Sequence, residues 1–186
     1  MIEYRCFRNS DPPDVLSLWN DSQLGRAAAD GVSSDAFEVF VFSQPYFDRK
    51  GFILAHEGKR LVGFAHAGFG STADGSNLSH EVGVICAVVV HPEFRRQGIG
   101  RELASRAGRY LEEAGSREIF AGCSPRRDPF FNGLYGGGSA TGFLESDEAA
   151  SPFLQAIGYE PFQRHVVFQR TTDSNRRLRN PPRNSG

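Results

Sequence analysis

Between Val88 and Leu103 the sequence reads VVVHPEFRRQGIGREL, a combination of residue types suited to holding an anion. Gly98 and Gly100 let the main chain approach a ligand with no Cβ in the way. Arg95 and Arg96 place two full positive charges beside them. The residues after Gly98 are helix formers, and the first turn of a helix has N–H groups with no partner inside the helix, all aimed at one point. The helix dipole adds roughly 0.3 to 1 kcal/mol of attraction for negative charge there. The expected chemistry is retention of a phosphate or pyrophosphate.

Such a loop must be held by the elements on either side of it. EVGVICAVVV (81–90) is apolar at nearly every position, which suits a central strand covered on both faces, and it ends at His91-Pro92. From Gly98 the pattern turns helical. Ile99, Leu103, Ala104, Ala107, Leu111 and Ala114 fall on one stripe, Arg101, Glu102, Arg106, Arg109 and Glu113 are left for water, and Gly115 ends the helix. REIFAGC (117–123) is the next strand, so strand, helix and strand form a crossover whose two strands are expected to be parallel.

The remaining elements follow from local signals. IEYRCFR alternates as a first strand, and DPPDVLSLWND is a helix with Asp11 as cap and prolines in its first turn. SSDAFEVFVFSQ is a second short helix with Ser33 or Ser34 as cap. GFILAHEGKRLVGFAHAGFG reads as a hairpin around His56-Glu57-Gly58-Lys59, and STADGSNLSH as a loop. Residues 124–150 are rich in Gly and aromatics and lack a period, which marks a functional or disordered loop; Gly136-Gly137-Gly138 is a hinge or an anion nest. SPFLQAIGYEP is a short helix with Pro152 in its first turn and Gly158 at its end, HVVFQR is a last strand, and 171–186 is too polar to pack.

Two phosphate loops can be tested against Arg95 to Leu103. A dinucleotide fingerprint needs Gly where Leu103 stands, and a Walker loop needs a Gly-Lys-Ser/Thr that is missing. What Arg95-Arg96-Gln97-Gly98-Ile99-Gly100 resembles is the acetyl-CoA loop of the GNAT superfamily of N-acetyltransferases, Arg/Gln-x-x-Gly-x-Gly/Ala after a strand that ends near a Pro. The order of elements extends the resemblance over residues 2–170, with 171–186 as a disordered tail or linker. It implies an α/β (α+β) fold: a strongly twisted mixed sheet flanked by helices, in which the strands before and after the loop splay apart. It also implies acetyl-CoA as cosubstrate, with Val88, Val89 and Val90 offering backbone groups to the pantetheine and the segment from Arg96 to Arg101 holding the pyrophosphate.

The implied reaction is acetyl transfer to an amine by direct attack. A lysine-like amine must give up roughly 4.6 kcal/mol to be neutral at pH 7. A general base carries part of that, and a proton donor serves the leaving thiolate. The family often uses a Glu on the strand before the loop and a Tyr four residues before the Gly of its end motif. In FLQAIGY that Tyr position is Leu154, and the strand interior from Val84 to Val90 holds no carboxylate. Glu81 is then the first candidate base, or a surface carboxylate; Tyr135 is the candidate acid, or a packing aromatic. Glu145, Asp147 and Glu148 either attract a cationic amine or favour the following helix through its dipole.

Composition bounds the rest. With 186 residues, 39% of them hydrophobic and 16 of them Phe, the chain can bury the core of one domain. A net charge of -1 argues against a globally basic nucleic-acid binder, although the Arg-rich end (Arg176, Arg177, Arg179, Arg183) leaves RNA association as a minor alternative. No apolar run is long enough to span a bilayer, and the first residues lack a signal-peptide pattern, so a cytoplasmic location is expected. Cys6, Cys86 and Cys123 have no zinc-site spacing, and no metal is expected. The competing function is a non-catalytic CoA-binding module, half of a tandem-domain protein. The acceptor, small molecule or protein, is left open.

Overall fold

The computed structural model describes residues 1–25, 28–72, 74, 76–122, 130, 131, 134, 135 and 143–164. The expected last strand HVVFQR, the tail from 171, the Gly136-Gly137-Gly138 run and Cys123 lie outside the described residues. Among the described residues five strands form one sheet in sequence order: β1 (Ile2–Cys6), β2 (Phe52–Glu57), β3 (Arg60–Ser71), β4 (Leu78–Val90) and β5 (Glu118–Ala121). The first four pair antiparallel, and β5 joins β4 in parallel, as the crossover requires. Helices α1 (Pro12–Asp21) and α2 (Ser34–Phe37) follow β1, α3 (Ile99–Glu113) links β4 to β5, and α4 (Ala150–Ala156) comes last.

The helix starts show why the local signals work. Ser33 Oγ accepts from the Ala36 N–H at 3.3 Å, closing the first turn of α2, which widens after Phe37 into a π-type turn held by Ser43 N–H to Glu38 O at 2.8 Å. Asp11 takes the cap position of α1, but its carboxylate does no capping. Pro12 and Pro13 have no N–H to offer it, and it instead accepts two hydrogen bonds from Arg5 (2.7 and 2.8 Å) and one from the Arg8 N–H (2.6 Å). Burial alone raises the Asp11 carboxyl; the Arg5 and Arg8 hydrogen bonds outweigh it and hold the group below its ordinary value. The strand-to-helix corner is therefore pinned by an ion pair rather than by a cap.

Two apolar layers sandwich the sheet. On one face, α1 and α2 bury Val15, Leu18, Trp19 and Phe37 against Phe52, Phe64, Val84 and Val89, with Phe130 and Phe131 in the same layer. On the other, the α3 stripe of Ile99, Leu103, Ala104, Ala107 and Leu111 packs on Ile53, Val62, Ala65 and Ile85. Each fully buried Leu or Ile of that stripe contributes about 1.5 to 3 kcal/mol. The expected stripe is the buried one, with Ala114 half-buried at its end, and Gly115 at φ +101 ends the helix. Gly63 matters for the distance between layers: a Cβ there would lie 3.0 Å from Val89 O and 3.1 Å from Leu103 Cδ1.

Gly108 has no such role. It sits inside α3 with nothing within 4 Å of a Cβ, so Gly108→Ala is expected to raise the unfolding free energy by about 0.5 to 1 kcal/mol in urea titrations.

One expectation about β4 changes. The stretch STADGSNLSH contributes strand at its two ends, where Ser71 pairs with Leu78 and Gly70 with Ser79. Polar Ser79 and His80 hid the start of the strand because this end is exposed and needs no apolar alternation. His80 and Glu81 therefore lie inside the strand rather than at its mouth.

Candidate functional site

Among the described residues β3 pairs with β4 at Leu78 and Ser79 and again from Gly83 to Val90, skipping His80 to Val82 and Cys86, whereas β5 pairs only with Val82 to Ile85. Among the described residues the last backbone hydrogen bond on that side is the Gly122 N–H to Ile85 O at 3.1 Å. From Cys86 to Val90 the β5 edge of the strand has no strand partner among the described residues. The loop with the arginines begins where this stretch ends.

The open stretch starts at a β-bulge. His66 and Ala67 are consecutive on β3, yet face Ala87 and Ile85, so Cys86 is an extra residue. Cys86 and Ala87 both pack into the α1 layer, whereas Ile85 and Val88 pack toward α3. The phase of the main chain slips with them. Ile85 O faces β5 before the bulge; after it the His91 N–H donates to Val62 O at 2.9 Å on the β3 side. Alternation then turns Val89 toward β3 and turns the amides of Val88 and Val90 toward the open edge. Of the three valines, two present backbone groups to the gap and Val89 pairs with Phe64.

The loop leaves β4 through a 3₁₀ turn, Pro92–Phe94. Arg95 spends its guanidinium on the frame: Nε donates to Val90 O at 2.9 Å, and a terminal nitrogen donates to Ser22 O. This ties the loop to the strand end and to the end of α1. Arg96 (φ +63) and Gly98 (φ +84) are both left-handed, and Gly98 precedes the first residue of α3. Left-handed residues at a helix start turn successive N–H groups inward as a nest. Glu102 N–H to Gly98 O at 3.1 Å is the first helical bond, so the N–H groups of Ile99, Gly100 and Arg101 have no partner within the helix.

Around that nest the charges are mostly spoken for. Gln97 Nε2 donates to Glu93 O at 3.0 Å, and Arg101 reaches Ala156 O at 3.3 Å. Glu102, in the first turn, would repel an anion, but Arg106 holds it at 2.8 Å and Arg109 stands 3.9 Å away. Arg96 is exposed. Gly100 lies under Phe153 of α4 and beside Val90, at 3.3 and 3.6 Å from a Cβ in its place, so it keeps α3, α4 and the strand end close. Arg96 to Arg101 thus forms a cationic cradle of free N–H groups, and Arg95 is its strut.

The two candidates for proton transfer are placed differently. Glu81 has its carboxylate 3.8 Å from Arg117, with 71% of the side chain exposed, one residue before the part of β4 that β5 covers, and its carbonyl accepts from the Arg117 N–H at 2.9 Å. Five residues of strand, about 16 Å, separate it from Cys86. The fold does not bring it to the gap. Tyr135 belongs to the α1-side layer, its N–H bonded to Phe131 O at 3.1 Å and its hydroxyl donating to Asp147 Oδ2 at 2.9 Å. Asp147 also accepts from the Ala149 N–H at 3.3 Å ahead of α4, and Glu145 pairs with Arg164 at 3.0 Å.

One residue of interest escaped the sequence. His66 is the β3 residue facing the bulge, fully buried, and neither Nδ1 nor Nε2 has a hydrogen-bond partner among the described residues. Its ring lies 4.2 Å from Phe130 and 4.8 Å from Phe52, centroid to centroid. Burial pushes the imidazole down to about 3, so it is neutral. Each unmet ring nitrogen costs on the order of 1 to 3 kcal/mol. Within AHAGFG nothing distinguishes it from a packed core histidine.

Among the described residues no group of His, Cys, Asp and Glu is arranged to hold a metal ion, and no helix is long and apolar enough to cross a membrane.

Comparison with known proteins agrees with this geometry. Aminoglycoside N-acetyltransferase AAC(6')-Iy, solved in complex with CoA, superposes with a TM-score of 0.61 at 18% identity, over 92% of this chain and 96% of that one. The apo aminoglycoside 6'-N-acetyltransferase AAC(6')-IG of Acinetobacter haemolyticus does so at 0.60 and 14% identity, over 92% and 99%. A transcriptional regulator from Bacillus halodurans is as similar, at 0.61 and 17% identity over 91% and 99%. These likenesses establish the fold, a mixed five-stranded α+β sheet with flanking helices. No curated protein matches the sequence. The profile of the Acetyltransferase (GNAT) family matches residues 14–132, the span that contains β4, the cradle and α3, and the chain therefore belongs to the GNAT acetyltransferase family.

Proposed function

We propose that the protein moves an acetyl group from acetyl-CoA to an amine by direct attack. The observation that carries this reading is the open edge of β4 leading into the nest at α3. Val88 and Val90 offer outward amides where an extended amide-bearing arm can pair as a strand does, and the free N–H groups of Ile99, Gly100 and Arg101 stand where its pyrophosphate follows. The CoA-bound neighbour of the same fold supports the choice of donor. The thioester then lies toward the bulge, with the α1-side layer opposite the α3 side.

In that arrangement the neutral amine nitrogen attacks the thioester carbonyl, the C–N bond forms, the C–S bond breaks, the nitrogen gives up one proton to solvent, and CoA leaves as thiolate that takes one up. Tyr135 is the candidate donor of that proton, since it belongs to the layer beside the bulge. A non-catalytic CoA-binding module is the second reading, favoured by the placement of Glu81 away from the gap and by Leu154 in the family's Tyr position.

Calorimetry with CoA and thiol release with a panel of amines decide between them. Turnover is expected, with Tyr135→Phe lowering kcat by about 10² at unchanged CoA affinity and Glu81→Gln matching the parent. CoA binding with no turnover of any amine selects the module; no CoA binding rejects both readings.

A further inference from the structure

Tyr135 and Asp147 come from different segments and meet through their side chains. The Tyr135 N–H bonds Phe131 O at 3.1 Å, its main chain forms an antiparallel bridge with Ala28, and beside it the Ala29 N–H donates to Leu134 O at 2.8 Å. Asp147 stands in the turn ahead of α4. Its own N–H donates to Leu144 O at 2.9 Å, and its Oδ1 accepts from the Ala149 N–H at 3.3 Å. Oδ2 takes the Tyr135 hydroxyl at 2.9 Å. Both residues are half-buried rather than sealed in the core. Helix α4 in turn rests on the donor cradle: Phe153 lies over Gly100, 3.3 Å from a Cβ in its place, and Arg101 donates to Ala156 O at 3.3 Å. Tyr135 packs on its other side into the layer that holds Cys86 and Ala87 of the bulge. The pair therefore links the element on the cradle to the layer at the open edge of β4.

The direction of that hydrogen bond matters. An ionised carboxylate only accepts, so the Tyr135 proton points at Asp147, and a phenol oxygen that has given its proton to a carboxylate can itself accept from an N–H. Acetyl transfer needs such an acceptor, because the nitrogen becomes cationic as it bonds to the thioester carbon and must shed a proton. The strand next to the gap supplies none: Val84 to Val90 carries no carboxylate, and Glu81 lies about 16 Å along β4 from Cys86. A second tyrosine and aspartate make the same bond elsewhere. Tyr110 donates to Asp48 Oδ2 at 2.8 Å, but its ring packs in the α3-side layer, beside Phe69 and Gly51.

Resting on the acetyl-transfer reading, we propose that Asp147 is the proton acceptor of the reaction and works through the Tyr135 hydroxyl. As the neutral amine attacks and the C–N bond forms, its N–H proton passes to the Tyr135 oxygen while the Tyr135 proton passes to Asp147 Oδ2. The C–S bond breaks, the thiolate takes a proton from Tyr135, and Asp147 returns its own to Tyr135. The proton lost from nitrogen ends on the CoA sulfur in place of an exchange with solvent. Both side chains finish as they began, beside an amide and CoA thiol.

The test uses the full chain with saturating acetyl-CoA and thiol release as readout, on whichever of spermidine, kanamycin and 4-methylaniline turns over fastest, beside CoA calorimetry on the same sample. Asp147→Asn keeps the shape and an oxygen for the Tyr135 hydroxyl but cannot take a proton. It is expected to lower kcat by about 10², with KM for the amine and CoA affinity unchanged. Asp147→Ser keeps an oxygen near the Ala149 N–H but is too short for Tyr135, and is expected to lose as much. In a Tyr135→Phe background neither change lowers kcat further, because one relay is already broken. Asp48→Asn is expected to match the parent. Parental kcat in Asp147→Asn reduces the pair to a structural contact and overturns the proposal. So does a raised KM at parental kcat, or losses that multiply with Tyr135→Phe, either of which makes Asp147 a carboxylate that binds the amine. Loss of CoA binding, or CoA binding without turnover of any amine by the parent, overturns the underlying reading instead.

Discussion

Between pH 6.5 and pH 4 the protein is expected to lose folding stability at a slope approaching 1.4 kcal/mol per pH unit from one group, His66. An unfolded histidine titrates near 6.5, whereas the buried ring is held at about 3 because nothing around it compensates a charge. The folded-state value is the depressed one, so the neutral ring stabilises nothing by its charge; instead the unfolded chain gains a proton that the folded chain refuses. The penalty starts below pH 6.5, grows as pH falls, and levels off near pH 3 at about 5 kcal/mol. That is a large share of the 5 to 15 kcal/mol typical of a domain.

Two other groups frame the window. His56 is lowered too, by burial first and then by Arg5, and it adds a smaller loss on the same side of pH 6.5. Asp11 has a lowered carboxyl value, so its contribution is complete above about 4 and disappears only as pH falls further. Urea denaturation at half-unit intervals checks this. His66→Leu is expected to flatten the slope between pH 6 and pH 4 and to be no less stable than the parent at pH 7, because two unmet polar atoms leave the core with it. A variant whose slope matches the parent's would show that His66 is not the titrating group.

Gly98→Val is expected to weaken CoA binding by one to two orders of magnitude, read by calorimetry at pH 7. The space is open, with nothing within 4 Å of a Cβ at that position, so no clash is involved. The penalty is conformational: φ is +84, a region that costs an ordinary L-residue roughly 1 to 2 kcal/mol and a β-branched one more. Relieving it means rotating Gly98, which re-aims the N–H groups of Ile99 and Gly100 away from the nest. At 1.4 kcal/mol per decade, that strain alone accounts for about one decade and the lost hydrogen bonds for the next. Thermal stability should fall only modestly, since the α3 stripe stays buried. Unchanged affinity would mean that the nest is not where the pyrophosphate is held.

What the sequence made legible was periodic or punctuated. The α3 stripe, the Gly115 stop, the Gly58-Lys59 hairpin turn and the parallel crossover are all read from spacing, and the structure has each of them. The bulge could not be read that way. Cys86 and Ala87 are both small and apolar, so an extra residue in EVGVICAVVV leaves no mark on hydropathy although it reverses which amides face the gap. Asp11 shows a different limit: capping position and capping bond are separate facts, and Arg5, brought over by β1, claimed the carboxylate. Glu81 was placed by proximity in sequence to an apolar run, whereas its distance along β4 from Cys86 separates it from the site. His66 needed three dimensions, since being buried without a partner is a property of its neighbours.

The slip at Cys86 has a consequence for how such a site changes over generations. In the proposed function donor recognition is written largely in main-chain amides, which every residue but proline supplies, while the acceptor side is left to side chains. Point substitutions can therefore remodel the acceptor layer repeatedly without erasing the donor half. The vulnerable event is a change of length: removing a single residue between Ile85 and Val88 would restore strict alternation and turn the outward amides back toward β3. Diversification in acceptor and intolerance of indels are, in this strand, two faces of one geometric fact.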